Sequence, residues 1–260
     1  MPVLRSEAFV LGRTPYSETS WIATLFTREE GILRVVARGG RRPRSAFSGS
    51  LEPLTRVHAE ASGKEDKDLW TLRKCDAVQG AMGLFEDWRR SGVLFGVIEV
   101  LERGLPERHP EEKTYRLTGT ILQGLEAGVD PAAAWVYFLV WFLRLHGLFP
   151  RPDRCAACDA RTPGPDGRLH FSREREGWVC ERCAAAPGAH ARTLPPDATE
   201  ILGGIFSNPL PALVGKAYDR PALKMLADGV YLAVTDFLGA PLRTEGAREK
   251  LFESGGTREC

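Results

Sequence analysis

The sequence predicts an α+β chain of several parts: a small closed barrel of strands, then a helical domain into which a compact cysteine-rich module is inserted. Three observations predict it. Over the first 80 residues, short runs of alternating apolar and polar residues are separated by turn signals. From Gly83 the apolar period becomes helical. Within the helical part, Cys155-Ala-Ala-Cys158 and Cys180-Glu-Arg-Cys183 form two CxxC pairs 21 residues apart. The expected parts are 1–80, 81–150, 151–193, 194–242 and a polar tail, 243–260, which ends at the unpaired Cys260 and is expected to be mobile.

The first part holds five candidate strands, at 7–12, 21–26, 32–37, 54–61 and 70–77. Thr14-Pro15-Tyr16-Ser17, Glu29-Glu30-Gly31, a long Gly/Arg/Ser loop and Ser62-Gly63-Lys64-Glu65-Asp66 join them. Five strands in this length suggest a five-stranded OB-fold barrel, with an SH3-like barrel as the competing architecture.

In the second part Leu84, Trp88, Val93, Val97, Leu101 and then Tyr115, Ile121, Leu125 recur near helical spacing. Asp130-Pro131 supplies an N-cap followed by proline at the first helical position, and the helix it opens runs to about His146, where Gly147 stops it. Trp135, Phe138, Trp141, Phe142 and Leu145 on this helix read as core and not as a stacking surface for bases. Helices resume at 196–206 and 219–238.

Two CxxC turns facing one another complete a tetrahedral shell of four thiolates, which leaves no open position for a substrate. Cys155, Cys158, Cys180 and Cys183 are therefore expected to hold one structural Zn2+ in a ribbon of two knuckles. His190 is not needed in that shell, and Cys75 has no CxxC partner. Disulfides are disfavoured because Met1-Pro-Val-Leu-Arg-Ser-Glu has no charged and apolar leader pattern, so a cytoplasmic chain is expected. The longest apolar run, 132–143, has 12 residues, against roughly 20 needed to cross a bilayer.

The formal net charge of +1 conceals one local imbalance. No acidic residue occurs between Gly31 and Leu51, whereas Arg34, Arg38, Arg41, Arg42 and Arg44 cluster around Gly39-Gly40. A flexible cationic loop beside a barrel can follow a phosphodiester backbone, with guanidinium forks on phosphate oxygens. Barrels of this kind add exposed aromatics on which bases stack, for which Tyr16, Trp21, Phe47 and Trp70 are candidates. Most of these four are expected in the core, since strand alternation turns Trp21 and Trp70 away from polar faces.

Signatures of enzymes fail. His58-Ala59-Glu60 with a later CxxC is similar to a zinc deaminase pattern, but Arg154 stands where that pattern has proline and the two halves lie nearly 100 residues apart. Gly63-Lys64 is followed by Glu65 and lacks the upstream glycine of a nucleotide-binding loop. No catalytic residue is assigned.

Ala8-Phe9-Val10-Leu11, Tyr16-Ser17-Glu18-Thr19-Ser20, Leu25-Phe26-Thr27, Val36-Ala37-Arg38-Gly39-Gly40-Arg41-Arg42 and Leu51-Glu52-Pro53-Leu54 together resemble the RecO family of bacterial recombination mediators. The resemblance is densest over 7–80. It implies a non-enzymatic, nucleoid-associated protein of DNA repair, recombination and the DNA damage response in the RecF pathway. Such a protein binds single- and double-stranded DNA, anneals complementary strands and, with RecR, helps load RecA onto DNA coated by single-strand-binding protein. The resemblance carries DNA binding onto Arg34, Arg38, Arg41, Arg42 and Arg44, and onto Arg13 and Lys74. A zinc-ribbon RNA-binding or ribosome-associated module, or a protein–protein adaptor, are the alternatives the residues leave open.

Overall fold

The computed structural model describes residues 2–64 and 67–252, so Cys260 and the end of the tail lie outside the described residues, as do Glu65 and Asp66. The chain folds as two compact units. One is built on the residues up to Leu122 together with Leu242–Glu245, and the other on Gln123–Pro241 and the residues after Glu245.

The first unit begins with β1 (Val3–Pro15), β2 (Trp21–Thr27), β3 (Gly31–Ala37), β4 (Arg56–Ser62) and β5 (Leu69–Gln79), which close into a barrel in the order β1-β2-β3-β5-β4. β3 and β5 pair in parallel, with Val35 opposite Trp70, and all other pairings are antiparallel. β1 is longer than the alternating run 7–12 because it serves two neighbours. Val3 to Phe9 pair with β4, and Ala8 to Pro15 pair with β2, with a bulge between Val10 and Gly12 that bends the strand from one partner to the other. β4 starts at Arg56 and not at Leu54. Leu54 has φ 55° and donates its N–H to the Val10 carbonyl at 2.6 Å, so the chain turns against β1 before pairing begins.

Alternation fixes which side chains fill the barrel. Ala8 and Val10, Ala23 and Leu25, Leu33 and Val35, Val57 and Ala59, and Trp70 and Leu72 form one buried cluster with Phe47, Leu51 and Cys75. The opposite face of β1 and β2 is also covered: Phe9 and Phe26 meet the Tyr115 ring at 4.8 and 5.6 Å. The β2–β3 turn needs glycine at Gly31, where φ is +67° and a Cβ would stand 1.9 Å from the His109 carbonyl oxygen.

After a 3-10 turn (Met82–Glu86) the first unit continues in α1 (Trp88–Gly104), capped by the Asp87 carboxylate on the Arg90 N–H, and α2 (Glu112–Glu126), whose residues from Gln123 belong to the second unit. Glu99 of α1 accepts four hydrogen bonds, from the backbone N–H groups of Arg243 and Thr244, the Thr244 hydroxyl and the Arg103 guanidinium, at 2.8–3.1 Å. Burial pushes its carboxyl up, but these donors outweigh burial and hold it below its ordinary value. A depressed carboxylate pKa stabilises the fold above the unfolded value of about 4.3 and loses that contribution as pH falls through the folded value. Glu99→Gln should therefore lower stability to urea at pH 7 by about 1–3 kcal/mol and flatten its decline between about pH 5 and 3.

The second unit contains α3 (Pro131–Leu145), α4 (Glu181–Ala184), α5 (Pro196–Ser207) and α6 (Arg220–Leu238), a 3-10 turn at Leu210–Leu213, and α7 (Glu245–Leu251), of which Glu245 belongs to the first unit. The expected signals operate on α3: Asp130 accepts from the Ala133 N–H, and Gly147 follows the C-terminus at φ +77°. Trp135, Phe138 and Phe142 are core, as helical spacing implies, at most 2% exposed, whereas Trp141 and Leu145 are half-buried, with the Trp141 indole N–H donating to the Ile205 carbonyl. α3 packs on α6, and Asp130 ties the two N-termini together through a bidentate ion pair with Arg220 at 3.0 and 2.6 Å. β6 (Leu169–Ser172), β7 (Gly177–Val179) and β8 (Ala191–Leu194) make a sheet in the order β7-β6-β8. β8 has no apolar alternation of its own and owes its existence to pairing with β6.

The expectation of a mobile tail from residue 243 is corrected over 243–252. Arg243 and Thr244 are held by Glu99, α7 follows, and Leu251 and Phe252 are buried. Among the described residues no helix is long and apolar enough to cross a membrane.

Candidate nucleic-acid interface and metal centre

The basic segment leaves β3 at Ala37 and does not run free. It is a series of turns in which the N–H groups of Gly40, Arg42, Ser45 and Ser48 donate to the carbonyls of Ala37, Gly39, Arg42 and Ser45 at 3.1 Å. Its far end is pinned by Phe47 and Leu51, which enter the barrel core. The expected flexibility is therefore corrected: the loop is cationic and exposed, but its backbone is anchored. The reason lies in apolar residues spaced among the arginines, together with contacts to the β1–β2 turn. Arg41 donates its N–H to the Thr19 carbonyl at 3.0 Å and its guanidinium to the Ser17 carbonyl at 2.6 Å.

The candidate residues fall into three groups. Arg38 and Arg42 line a groove of about 350 Å3 together with Tyr16, Thr19, Ser20, Val36 and Gly39, and Arg44 is exposed nearby in sequence at φ 64°. Arg41 and Arg13 stand over the Trp21 ring at 5.2 and 5.1 Å, with Arg13 also paired to Glu52 at 2.7 Å. Arg34 is the one exposed residue of β3, and Lys74 lies on the outer face of β5, where its ammonium bonds Asp76 at 2.6 Å and is held above its ordinary pKa by that bond. Of the four aromatic candidates, Phe47 and Trp70 are core, Trp21 is half-buried under the two guanidinium groups, and Tyr16 is exposed. Thr19, Ser20 and Val36 also line the groove; the sequence offers them within the motifs that resemble the RecO family but not as site residues.

His58 and Glu60, whose pattern fails as an enzyme signature, alternate with buried Val57, Ala59 and Ala61 on β4, and the Glu60 carboxylate pairs with Arg5.

The cysteine centre is built from two turns. In the first, Cys155 donates its N–H to the Ala160 carbonyl, Asp159 donates to the Cys155 carbonyl at φ 59°, and Ala156 donates to the Trp178 carbonyl of β7, fixing the turn against the sheet. In the second, Cys180 precedes the first residue of α4 and Cys183 lies within it. The four sulfurs lie within 4.8 Å of one another, and the Cys158 and Cys180 Sγ atoms are 3.7 Å apart. Four thiolates about a tetrahedral ion at roughly 2.3 Å stand about 3.8 Å apart, whereas a disulfide needs about 2.05 Å. The donor set and spacing therefore fit one tetrahedral metal ion, and His190 is not part of the cluster. Burial pushes the Cys155 thiol up, but the backbone N–H groups of Cys180, Ala157 and Cys158 prevail and bring it down to about 6. Cys183, which shares hydrogen bonds with Cys180 and Cys158, is pushed up to about 12. A cation in the centre would complete the deprotonation these sulfurs resist among themselves. Arg182, between Cys180 and Cys183, bonds Cys158 and is raised by that bond and by the charge of the thiolates.

The chain matches the family model Recombination protein O N terminal over residues 1–81 and Recombination protein O C terminal over residues 85–239. The chain belongs to the RecO family. Its similarity to individual members extends over about two thirds of its length. It is 35% identical over 179 residues to the DNA repair protein RecO of Koribacter versatilis (strain Ellin345), covering 68% of this chain and 70% of that one. To the DNA repair protein RecO of Anaeromyxobacter sp. (strain K) it is 34% identical over 186 residues, 72% and 71% of the two chains. To that of Bacillus subtilis (strain 168) it is 30% identical over 179 residues, 69% and 68%. Family membership places the chain in DNA repair and recombination, and the RecO N-terminal barrel is the OB-fold expected from the strand count.

Proposed function

We propose that the chain is a non-enzymatic mediator of recombination that binds single- and double-stranded DNA, anneals complementary strands and, with RecR, helps load RecA onto strands coated by single-strand-binding protein. The observation that carries this reading is the anchored loop bearing Arg38, Arg41, Arg42 and Arg44 on a closed barrel. Annealing needs a surface that offsets repulsion between two phosphate backbones without reading base edges, and guanidinium groups presented by a fixed backbone do that. Arg34, Arg13 and Lys74 extend the same cationic character across the barrel surface. In this reading residues 1–80 bind DNA, and 151–193 form a structural zinc module between the helical parts 81–150 and 194–242. Zinc suits four thiolates in a shell with no open position. The chemistry needs no nucleotide, in keeping with a cytoplasmic protein that acts by binding.

The test is annealing of complementary DNA strands precoated with single-strand-binding protein, in the absence of ATP, followed by a fluorescence-quenched pair on the strand ends. Substoichiometric amounts of protein should shorten the annealing half-time at least tenfold, and addition of RecR should change the yield of RecA filaments on the same coated strands. No acceleration by folded, metal-loaded protein would defeat the reading.

A further inference from the structure

We infer that Tyr16 and the groove beside it form a subsite for one unpaired nucleotide, which makes the interface selective for single-stranded over duplex DNA. The inference rests on the reading of the arginine loop as a DNA surface and adds to it a residue that tells one DNA form from another.

Three observations carry it. First, Tyr16 is 58% exposed, whereas the other aromatic candidates are engaged: Phe47 and Trp70 fill the barrel, and Trp21 lies under Arg13 and Arg41. Second, the tyrosine is presented by a braced turn. Its N–H donates to the Ser20 carbonyl at 3.0 Å, the Ser17 N–H donates to the same oxygen, and Arg41 holds the carbonyls of Ser17 and Thr19. The brace is itself close-packed, since a Cβ on Gly40 would stand 2.9 Å from the Trp21 ring and 3.0 Å from the Ala37 carbonyl oxygen. Third, the tyrosine shares a groove of about 350 Å3 with Thr19, Arg38 and Arg42, and the buried residues Ser20 and Val36 also contribute to its lining. That volume lies in the range of small-ligand sites.

These groups match two parts of a nucleotide: an exposed ring for the base face and arginine side chains for the phosphate. A base can lie on the tyrosine only when one of its own faces is uncovered. In a duplex both faces are stacked on neighbouring pairs, so the tyrosine contributes to binding of single strands and nothing to binding of duplex. Because every base has a π-face, the subsite discriminates strandedness and not sequence.

The test uses the full chain and three probes of equal length: a thymidine oligonucleotide, an abasic oligonucleotide with the same number of phosphates, and a duplex. The wild-type chain should bind the thymidine strand more tightly than the abasic one. Tyr16→Ala should weaken binding of the thymidine strand roughly tenfold, the scale of one lost base–aromatic stack. It should leave abasic and duplex binding, and the salt dependence of all three, unchanged within about twofold. Tyr16→Phe, which keeps the ring, should behave as wild type. If Tyr16→Ala weakens all three probes alike, or none, the subsite is refuted while the loop remains a DNA surface. If the wild-type chain binds none of the three, the underlying reading of the loop is refuted as well.

Discussion

Replacing Arg38, Arg42 and Arg44 together by alanine is expected to reduce the slope of log K against log salt for single-stranded DNA by about 2, since each phosphate contact contributes about 0.7. Affinity at low salt should fall at least a hundredfold, and annealing of coated strands should be lost with it. Arg41 is left intact in this variant for a structural reason: its guanidinium holds the Ser17 carbonyl and covers Trp21, so its removal would disturb the turn as well as remove a charge. Arg13 and Lys74 already have carboxylate partners in Glu52 and Asp76, and a phosphate must displace these. Their single replacements should each change the slope by less than about 0.7. Titration by fluorescence anisotropy at several salt concentrations measures all of this. An unchanged slope in the triple variant, with an intact thermal transition, would remove the loop from the interface.

Purified protein should contain one zinc per chain, and Cys155→Ser should lose it. Cys155 is the most buried of the four cysteines, and its turn is bonded directly to β7 at Trp178. Trp178 in turn donates its indole N–H to the Pro150 carbonyl at 2.9 Å and packs edge-on against Phe149 and Phe171. A three-stranded sheet with so few apolar residues has little core beyond this cluster, and metal binding in small zinc modules contributes on the order of 10 kcal/mol to folding. Loss of metal by mutation or chelation should therefore shift Trp178 emission to the red and expose 151–193 to protease. DNA binding by the barrel should survive, because the arginines of the module alternate with acids: Arg154 pairs with Asp159 and Arg168 with Asp166. A folded Cys155→Ser protein that loses DNA binding selectively would bring the module into the interface.

The metal centre and the basic loop differ in how far the sequence disclosed them. The cysteine spacing dictates its own geometry, because two CxxC turns need only a sheet to face each other. Strand alternation likewise places Trp70 and Val35 inside the barrel, and Asp130-Pro131 and Gly147 bound α3. The basic loop is legible as charge but not as shape. Its anchoring depends on Phe47 and Leu51 reaching a core assembled from other strands, and on Arg41 meeting a turn 24 residues earlier in the chain. The position of Trp21 is hidden for the same reason: alternation assigns a face, whereas two guanidinium groups from distant residues decide how much of the ring stays covered. β8 and the held segment after Arg243 carry weak local signals and exist through partners far along the chain.

The clasp at Glu99 bears on the order in which the chain becomes structured during its synthesis. Glu99 emerges 144 residues before the Arg243 N–H it accepts from. At a translation rate of about 5–20 residues per second, that interval is roughly 7–30 s, far longer than a small barrel needs to fold. The barrel and α1 must therefore persist on the ribosome with water in the places of the Arg243 and Thr244 donors, beside the Arg103 guanidinium already present on the same helix, and the first unit is completed only after residues 242–245 have emerged.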